Sequence, residues 1–401
     1  MIGTALSQNR SDPMDYMHKS CSYSDAMFAV TGRDFRENRC EKGFLHQPVM
    51  WLVMLSFGLS FIMGAAPVPT GREQDSGNAE SSIGVVSDKL IIELTPELHT
   101  AVDRGLSYLA TVQAGDGSFG ASRYGRHVGI TALACLAFMA DGHLPERGAY
   151  GPNIQSGLEF ILRSAHETGL IAADTSHGPM YGHGFAALFL AEVYGQAHDR
   201  RCREGLVKAV RLIINTQNPE GGWRYHPIPI EADISVTICQ VMALRAARNA
   251  GISVPKETIE KAIAYVRRCQ TPTDGGFRYM VNSGGSAFPR TAAGVASLYY
   301  AGVYQDEAIN KGLDYLVRQQ TRAMGNRSVG HYYYGHYYAV QAMHLAGGQY
   351  WAQWFPAIRA ELLARQEAAG NWSSPHGGAY ATAMSLLVLQ LPKRLLPIFQ
   401  R

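Results

Sequence analysis

Charge is scarce in this chain: Asp, Glu, Lys and Arg make up 17% of 401 residues, and the formal net charge is +3. The charges that exist are interspersed, and no basic stretch carries interleaved aromatics, so a nucleic-acid groove is excluded. Cysteine is sparse too, with six residues and no CxxC spacing. Cys135, Cys202, Cys239 and Cys269 each fall inside a helical pattern and read as buried thiols, because packed Cys behaves as a small hydrophobe. No Asp-x-Cys occurs, which removes the usual start of a thiolate-activating zinc site. Neither a metal nor a cofactor is expected.

What is present falls into four stretches. Residues 1–47 are polar and irregular. Residues 48–66 carry no charge, follow Arg39 and Lys42, and end in Gly64-Ala65-Ala66, the shape of a secretory signal. A run of that length also approaches the lower limit for a membrane anchor, so export and membrane association through residues 48–66 are both expectations. Residues 67–94 are rich in Gly, Ser, Pro and charge and read as a linker. Thr95-Pro96-Glu97 then opens a helix, with Thr as N-cap and Pro at the first position.

From residue 95 to 395 the sequence repeats itself about every 50 residues. Gln113, Gln217, Gln270, Gln320 and Gln366 each end an amphipathic helical pattern, and the wide first gap holds a degenerate copy beginning at Ser156. A glycine turn follows each marker, closing on Phe119, Trp223, Phe277 or Trp372; the copy after Gln320 lacks the aromatic. A second, more apolar helix comes next, as in Ile130–Met139 or Ala292–Leu298, and such a helix has to be covered on most sides. The expected architecture is all-α: an (α/α)6 toroid of six helical hairpins, buried helices inside and amphipathic ones outside. An open solenoid is the alternative.

The spacing of Gln and Gly-x-Trp/Phe resembles the QW repeat of the squalene cyclase and protein prenyltransferase superfamily. In the residues themselves the Gln amide has a bland role, tying up orphan carbonyls at a helix end while the aromatic covers it. The resemblance implies an isoprenoid or other apolar ligand in the central cavity. It sharpens at Glu231-Ala232-Asp233-Ile234, which stands where alkene-protonating members carry Asp-x-Asp-Asp. Asp233 then matches the proton donor and Glu231 a partner, with the third carboxyl replaced by Ile234. As a lone helix opener, Asp233 also reads as an N-cap.

The ends of the inner helices gather at one mouth of such a ring, which places His127, His183, His226, Arg290, Tyr334, His336, Tyr337, His376 and Tyr380 around a ligand. The zinc-dependent branch of the superfamily is disfavoured, both by its missing ligands and because its substrates are cytosolic whereas this chain looks exported. Two further functions stay open at this point. One is a non-catalytic exported scaffold for a lipid or an unidentified protein. The other is a glycan hydrolase or lyase on a similar double ring, with Glu231 and Asp174 as the carboxylate pair.

Overall fold

The computed structural model describes residues 93–120, 125–174, 177–325 and 331–400. The irregular region, the apolar run at 48–66 and nearly all of the linker lie outside the described residues.

The N-cap expected at Thr95 is in place: its hydroxyl accepts from Leu98 N at 3.4 Å and Pro96 takes the first helical position. Twelve α-helices follow among the described residues, in six hairpins. They are α1 (Pro96–Val112), α2 (Val128–Met139), α3 (Gly151–Arg163), α4 (Met180–Ala197), α5 (Arg200–Asn215) and α6 (Ile234–Asn249), then α7 (Lys256–Arg268), α8 (Phe288–Tyr300), α9 (Glu307–Gly325), α10 (Tyr332–Ala346), α11 (Gly348–Arg365) and α12 (Gly378–Gln390).

Even-numbered helices pack on one another in sequence, α2 on α4 through to α12 on α2, so the inner ring closes and the solenoid is excluded. The reason lies in their composition. Every residue of α2 is buried, which requires neighbours on all sides. α2 and α4 cross so tightly at the mouth that a methyl group on Gly129 would come within 2.9 Å of Gly182 Cα. Odd-numbered helices have one apolar face and form the outer ring; α5, for instance, buries Cys202, Leu206, Ala209, Val210 and Ile213 at helical spacing. The four described cysteines are buried and free, and burial pushes their thiols up.

The repeat markers hold the hairpins together, with one correction to their expected role. Gln217 Nε2 donates to Gly221 O in its own turn and to Thr258 O in the first turn of α7, both at 2.9 Å. Gln113 does the same to Gly117 and Asn153, and Gln270 to Gly275 and Ala308. The amide therefore staples each unit to the next outer helix, and the carbonyls are not the orphans at its own helix end. Gln366 reaches Ala101 O at 2.8 Å and joins the last unit to the first. Gln320, whose unit lacks the aromatic, touches Met324 Sδ instead, and α9 runs on to Gly325.

A second repeated device has no counterpart in the marker pattern. Phe119, Trp223, Phe277 and Trp372 each donate their backbone N–H to a threonine hydroxyl in the first turns of the following inner helix, Thr131, Thr237, Thr291 and Thr382, at 2.8–3.1 Å. Each bond closes a buried donor that would otherwise cost about 1–3 kcal/mol. Together with the indole bonds from Trp223 to Ile213 O and Trp372 to Leu362 O, it fixes where α2, α6, α8 and α12 begin. That start is what places the site.

Candidate ligand site at the mouth of the ring

The amino ends of the inner helices surround a two-lobed opening. The larger lobe, about 740 Å³, is walled by the Ser283–Arg290 segment at the start of α8 and by Tyr315, Gln319 and Arg322 of α9. The smaller, about 250 Å³, is apolar and bounded by α2, α4 and α12 through residues such as Ile130, Leu133, Phe185 and Met384. Tyr181, Tyr225, His331 and Tyr334 line both lobes, so they form the partition. Below the mouth the ring is filled: Phe185 packs edge-on against Tyr337, and Tyr337 against Tyr338.

Asp233 lies behind the partition and has no exposed surface. Its backbone N–H bonds to Trp223 O at 3.0 Å, so the repeat turn positions it directly. As the N-cap of α6 it accepts on Oδ1 from Ser235 N at 2.8 Å and Val236 N at 3.0 Å. The capping role is therefore real. Oδ2 is buried without a hydrogen-bond partner. Burial raises the carboxyl to about 6, against the lowering pull of the α6 amides, Arg224 and the Tyr279 hydroxyl. Tyr279 is itself hydrogen-bonded to Tyr225, and Arg224 lies 5.1 Å from the Tyr225 ring centre and 5.8 Å from that of Tyr279.

The other acid of the pair is elsewhere. Glu231 is 60% exposed and pairs with Arg224 Nε at 3.1 Å. His226 stands on the exposed loop that also carries Ile228 and Ile230, and it lines neither lobe. Asp174 is bound to Arg126 and is likewise outside the opening.

Of the residues expected at the mouth, His127, Arg290, Tyr334, His376 and Tyr380 line it. His127 caps α2, its Nδ1 accepting from Gly129 N at 3.1 Å and from Ile130 N at 3.4 Å. His183, His336 and Tyr337 are on inner helices but are wholly buried away from both lobes. The cause is helical phase. At about 100° per residue, a helix start turns some of its first residues outward, and His183 Nδ1 accepts from Ile171 N while His336 Nε2 bonds Ala323 O of outer helix α9.

Sequence reasoning missed Tyr181, Tyr225, Tyr279, Tyr315, Gln319 and Arg322. The first three had a signal, an aromatic beside the repeat glycines. Those from α9 had none, since an outer helix was not expected to reach the opening. A further missed group is Glu192, buried deep in α4, where its carboxylate accepts from Ile398 N at 3.4 Å and is raised by burial to about 8. It lies outside both lobes.

Comparison with known proteins agrees with this architecture. Residues 148–335 match the prenyltransferase alpha-alpha toroid domain. Nearly half of the chain thus resembles that domain. The match falls on the repeats that resemble those of the squalene cyclase and protein prenyltransferase superfamily. The toroid chain is 28% identical over 185 residues to a drimenyl diphosphate synthase of Streptomyces showdoensis, which covers 46% of this chain and 33% of that protein. It therefore spans about a third of the length of the curated relative it matches. A type II terpene cyclase from Scytonema, solved with geranylgeranyl dihydroxybenzoate, superposes with a TM-score of 0.52 at 14% identity, over 75% of this chain and 98% of the cyclase. An alpha-1,6-mannanase of Salegentibacter reaches 0.54 at 10% identity, over 74% and 99%. Both likenesses concern the fold alone, and a double ring of this kind serves unrelated chemistry.

Proposed function

We propose that the toroid binds an isoprenoid-like molecule in the two-lobed mouth and that Asp233 protonates an alkene carbon of it. The observation that carries the reading is the state of the Asp233 carboxyl. One oxygen is held by two amides, and the other is buried, unbonded and behind an aromatic wall. A carboxyl raised to about 6 holds its proton below that pH, and the anion left after transfer rests on the Ser235 and Val236 N–H groups and the Arg224 charge. In the step, the Oδ2–H bond breaks as a C–H bond forms from the alkene π pair, leaving a carbocation. The carboxylate then takes a proton from a neighbouring carbon, so the net change is isomerisation or ring closure with no co-reactant. Tyr181, Tyr225 and Tyr334, which line both lobes, are the aromatic rings available to stabilise the cation. Their wall has to part for the ligand to meet Oδ2, because Asp233 has no exposed surface.

That same lack of exposure favours a second reading, a toroid that binds without catalysis, in which Asp233 is a cap and nothing more. Asp233→Asn separates the two, since the amide keeps the cap and has no acidic proton. Incubation with squalene, farnesyl diphosphate and a geranylgeranyl-substituted aromatic acid, followed by mass spectrometry, is expected to show a product whose rate falls at least ~100-fold in the variant, in the range of a lost general acid. Identical product profiles in both proteins sink the acid role.

Export belongs to the proposal as well. The uncharged run at 48–66 and its Gly64-Ala65-Ala66 end support placement outside the cytoplasm. Amino-terminal sequencing of the cell-envelope protein is expected to begin near Pro67; a mature chain that keeps residues 48–66 would argue for an anchor instead.

A further inference from the structure

The inner helices begin at the mouth and end on the opposite side of the ring, and there the chain that leaves α12 turns back across them. A short 3-10 helix, Leu391–Lys393, is followed by Arg394 in the left-handed region (φ 53°) and then by a second, Pro397–Phe399. Lys393 pairs with Asp141 just past α2, and Leu395 lies so close that a methyl group on Gly142 would be 3.4 Å from its Cδ1. The second short helix packs on α4 and α6. Leu396, Ile398 and Phe399 are buried, so the segment covers the ends of α2, α4 and α6 with an apolar underside.

Beneath that underside sits a carboxyl. Glu192 of α4, 2% exposed, accepts from Ile398 N at 3.4 Å, its only hydrogen bond among the described residues, and it has no ion pair there. The charges on the elements around it are engaged elsewhere. Lys393 and Asp141 hold each other, and on α5, which also packs on α4, Arg200 pairs with Glu204 and Arg201 with Asp199 and Glu159. Burial first, then charges that include Glu192, push up Tyr300 of α8 and Tyr337 of α10, while Arg245 of α6 pulls Tyr300 down. The Tyr300 hydroxyl donates to Gln341 and not to Glu192. Burial accordingly raises Glu192 from 4.5 to about 8.

One long bond offsets little of the cost of a buried charge. Lifting the segment would let water reach the carboxylate, and Arg394, a non-glycine residue in a strained conformation, stands where such a movement would pivot. We propose that residues 391–400 are a pH-operated seal on the far end of the ring, seated over the neutral Glu192 carboxyl and lifted when that carboxyl ionises. The seal works whatever the mouth binds. Seated, Glu192 titrates at about 8; once hydrated, it returns towards 4.5. The lifted state therefore gains on the seated one by ~10-fold per pH unit across that interval, and gains nothing more above it.

Hydrogen exchange of the full chain, read by mass spectrometry on the peptide carrying Ile398, Phe399 and Gln400 and corrected for the intrinsic effect of pH, tests the seal. From pH 5 to pH 7.5 the protection of this peptide is expected to fall ~100-fold in the wild-type protein, while peptides from the middle of α2 keep theirs. Glu192→Gln keeps an acceptor for Ile398 N and Glu192→Leu removes it. Neither titrates, and both are expected to give a flat profile, with circular dichroism reporting that each is folded. A wild-type profile as flat as theirs overturns the proposal. So does a slope that persists in both variants, which assigns the pH dependence to another group. Loss of protection in α2 in step with the segment also overturns it, because the ring then opens as a whole.

Discussion

On acidification from pH 6.5 to 4.5 the ring is expected to lose about 2–3 kcal/mol of stability, and His127→Asn to recover about 2 of it. Three imidazoles drive the loss. Burial depresses His127 and His183 to about 4 and His336 to about 3, from 6.5. A group with a lowered folded-state value contributes stability that is present above the unfolded value and lost as the pH falls towards the folded one. In this window the unfolded chain takes up three protons that the native ring refuses, costing about 6–7 kcal/mol. Two buried acids oppose it. Asp233 and Glu192, raised to about 6 and about 8, bind protons more readily when folded and return about 4 kcal/mol over the same range. The imidazoles win by number. His127 is the cleanest of the three to test, because its Nδ1 accepts from two amides and protonation would set a donor against donors. Asn at that cap keeps an acceptor and does not titrate. Urea unfolding at the two pH values checks the claim; an equal pH slope in wild type and variant would refute it.

Hydrophobic periodicity and the glycine turns were enough to read six hairpins and the inner and outer rings, because whether a helix is amphipathic or apolar all round is a property of its own residues. The staple geometry of Gln217 and Gln366 was half readable. Its donor is local, but the second carbonyl belongs to the next outer helix, which in the case of Gln366 is at the other end of the chain. Thr131, Thr237, Thr291 and Thr382 also recur in the sequence, 10–14 residues after their aromatics, and went unread since threonine in an inner helix looks like ordinary small-residue packing.

The site was harder to read than the ring. A helix start identifies residues near the mouth but not their direction around the axis, so Tyr334 faces the ligand space while His336, two residues on, faces α9. Arg322 and Gln319 enter from an outer helix that extends past its marker, and no local pattern announces this. Glu192 could have been found: it is the one carboxylate in the eighteen residues of α4, and a lone acid in a buried apolar helix has to be held by something.

Asp233→Asn is expected to make the protein more stable, by about 3 kcal/mol at pH 7.5, and to leave stability unchanged below about pH 4. The direction follows from the carboxyl's raised value. Folding brings Asp233 from 3.8 to about 6, so above that pH the native state carries a buried charge that the unfolded state holds in water. As the pH falls through 6 to below 4 the native carboxyl protonates first and the penalty disappears. The amide mimics the protonated form: it can accept from Ser235 N and Val236 N and carries no charge to bury. A cap chosen for stability alone would be better served by Asn at neutral pH, as the two residues cap about equally well. Keeping Asp at a fully buried position therefore costs the fold, and that cost is what a group retained for its proton would show. Chemical denaturation of both proteins from pH 4 to 8 gives the difference curve. A variant less stable than wild type at every pH would mean that the charge on the α6 amides outweighs its burial, and the case for Asp233 as an acid would go with it. A variant stabilised at neutral pH that has also lost product formation would tie the two properties to one oxygen atom, the buried and unbonded Oδ2.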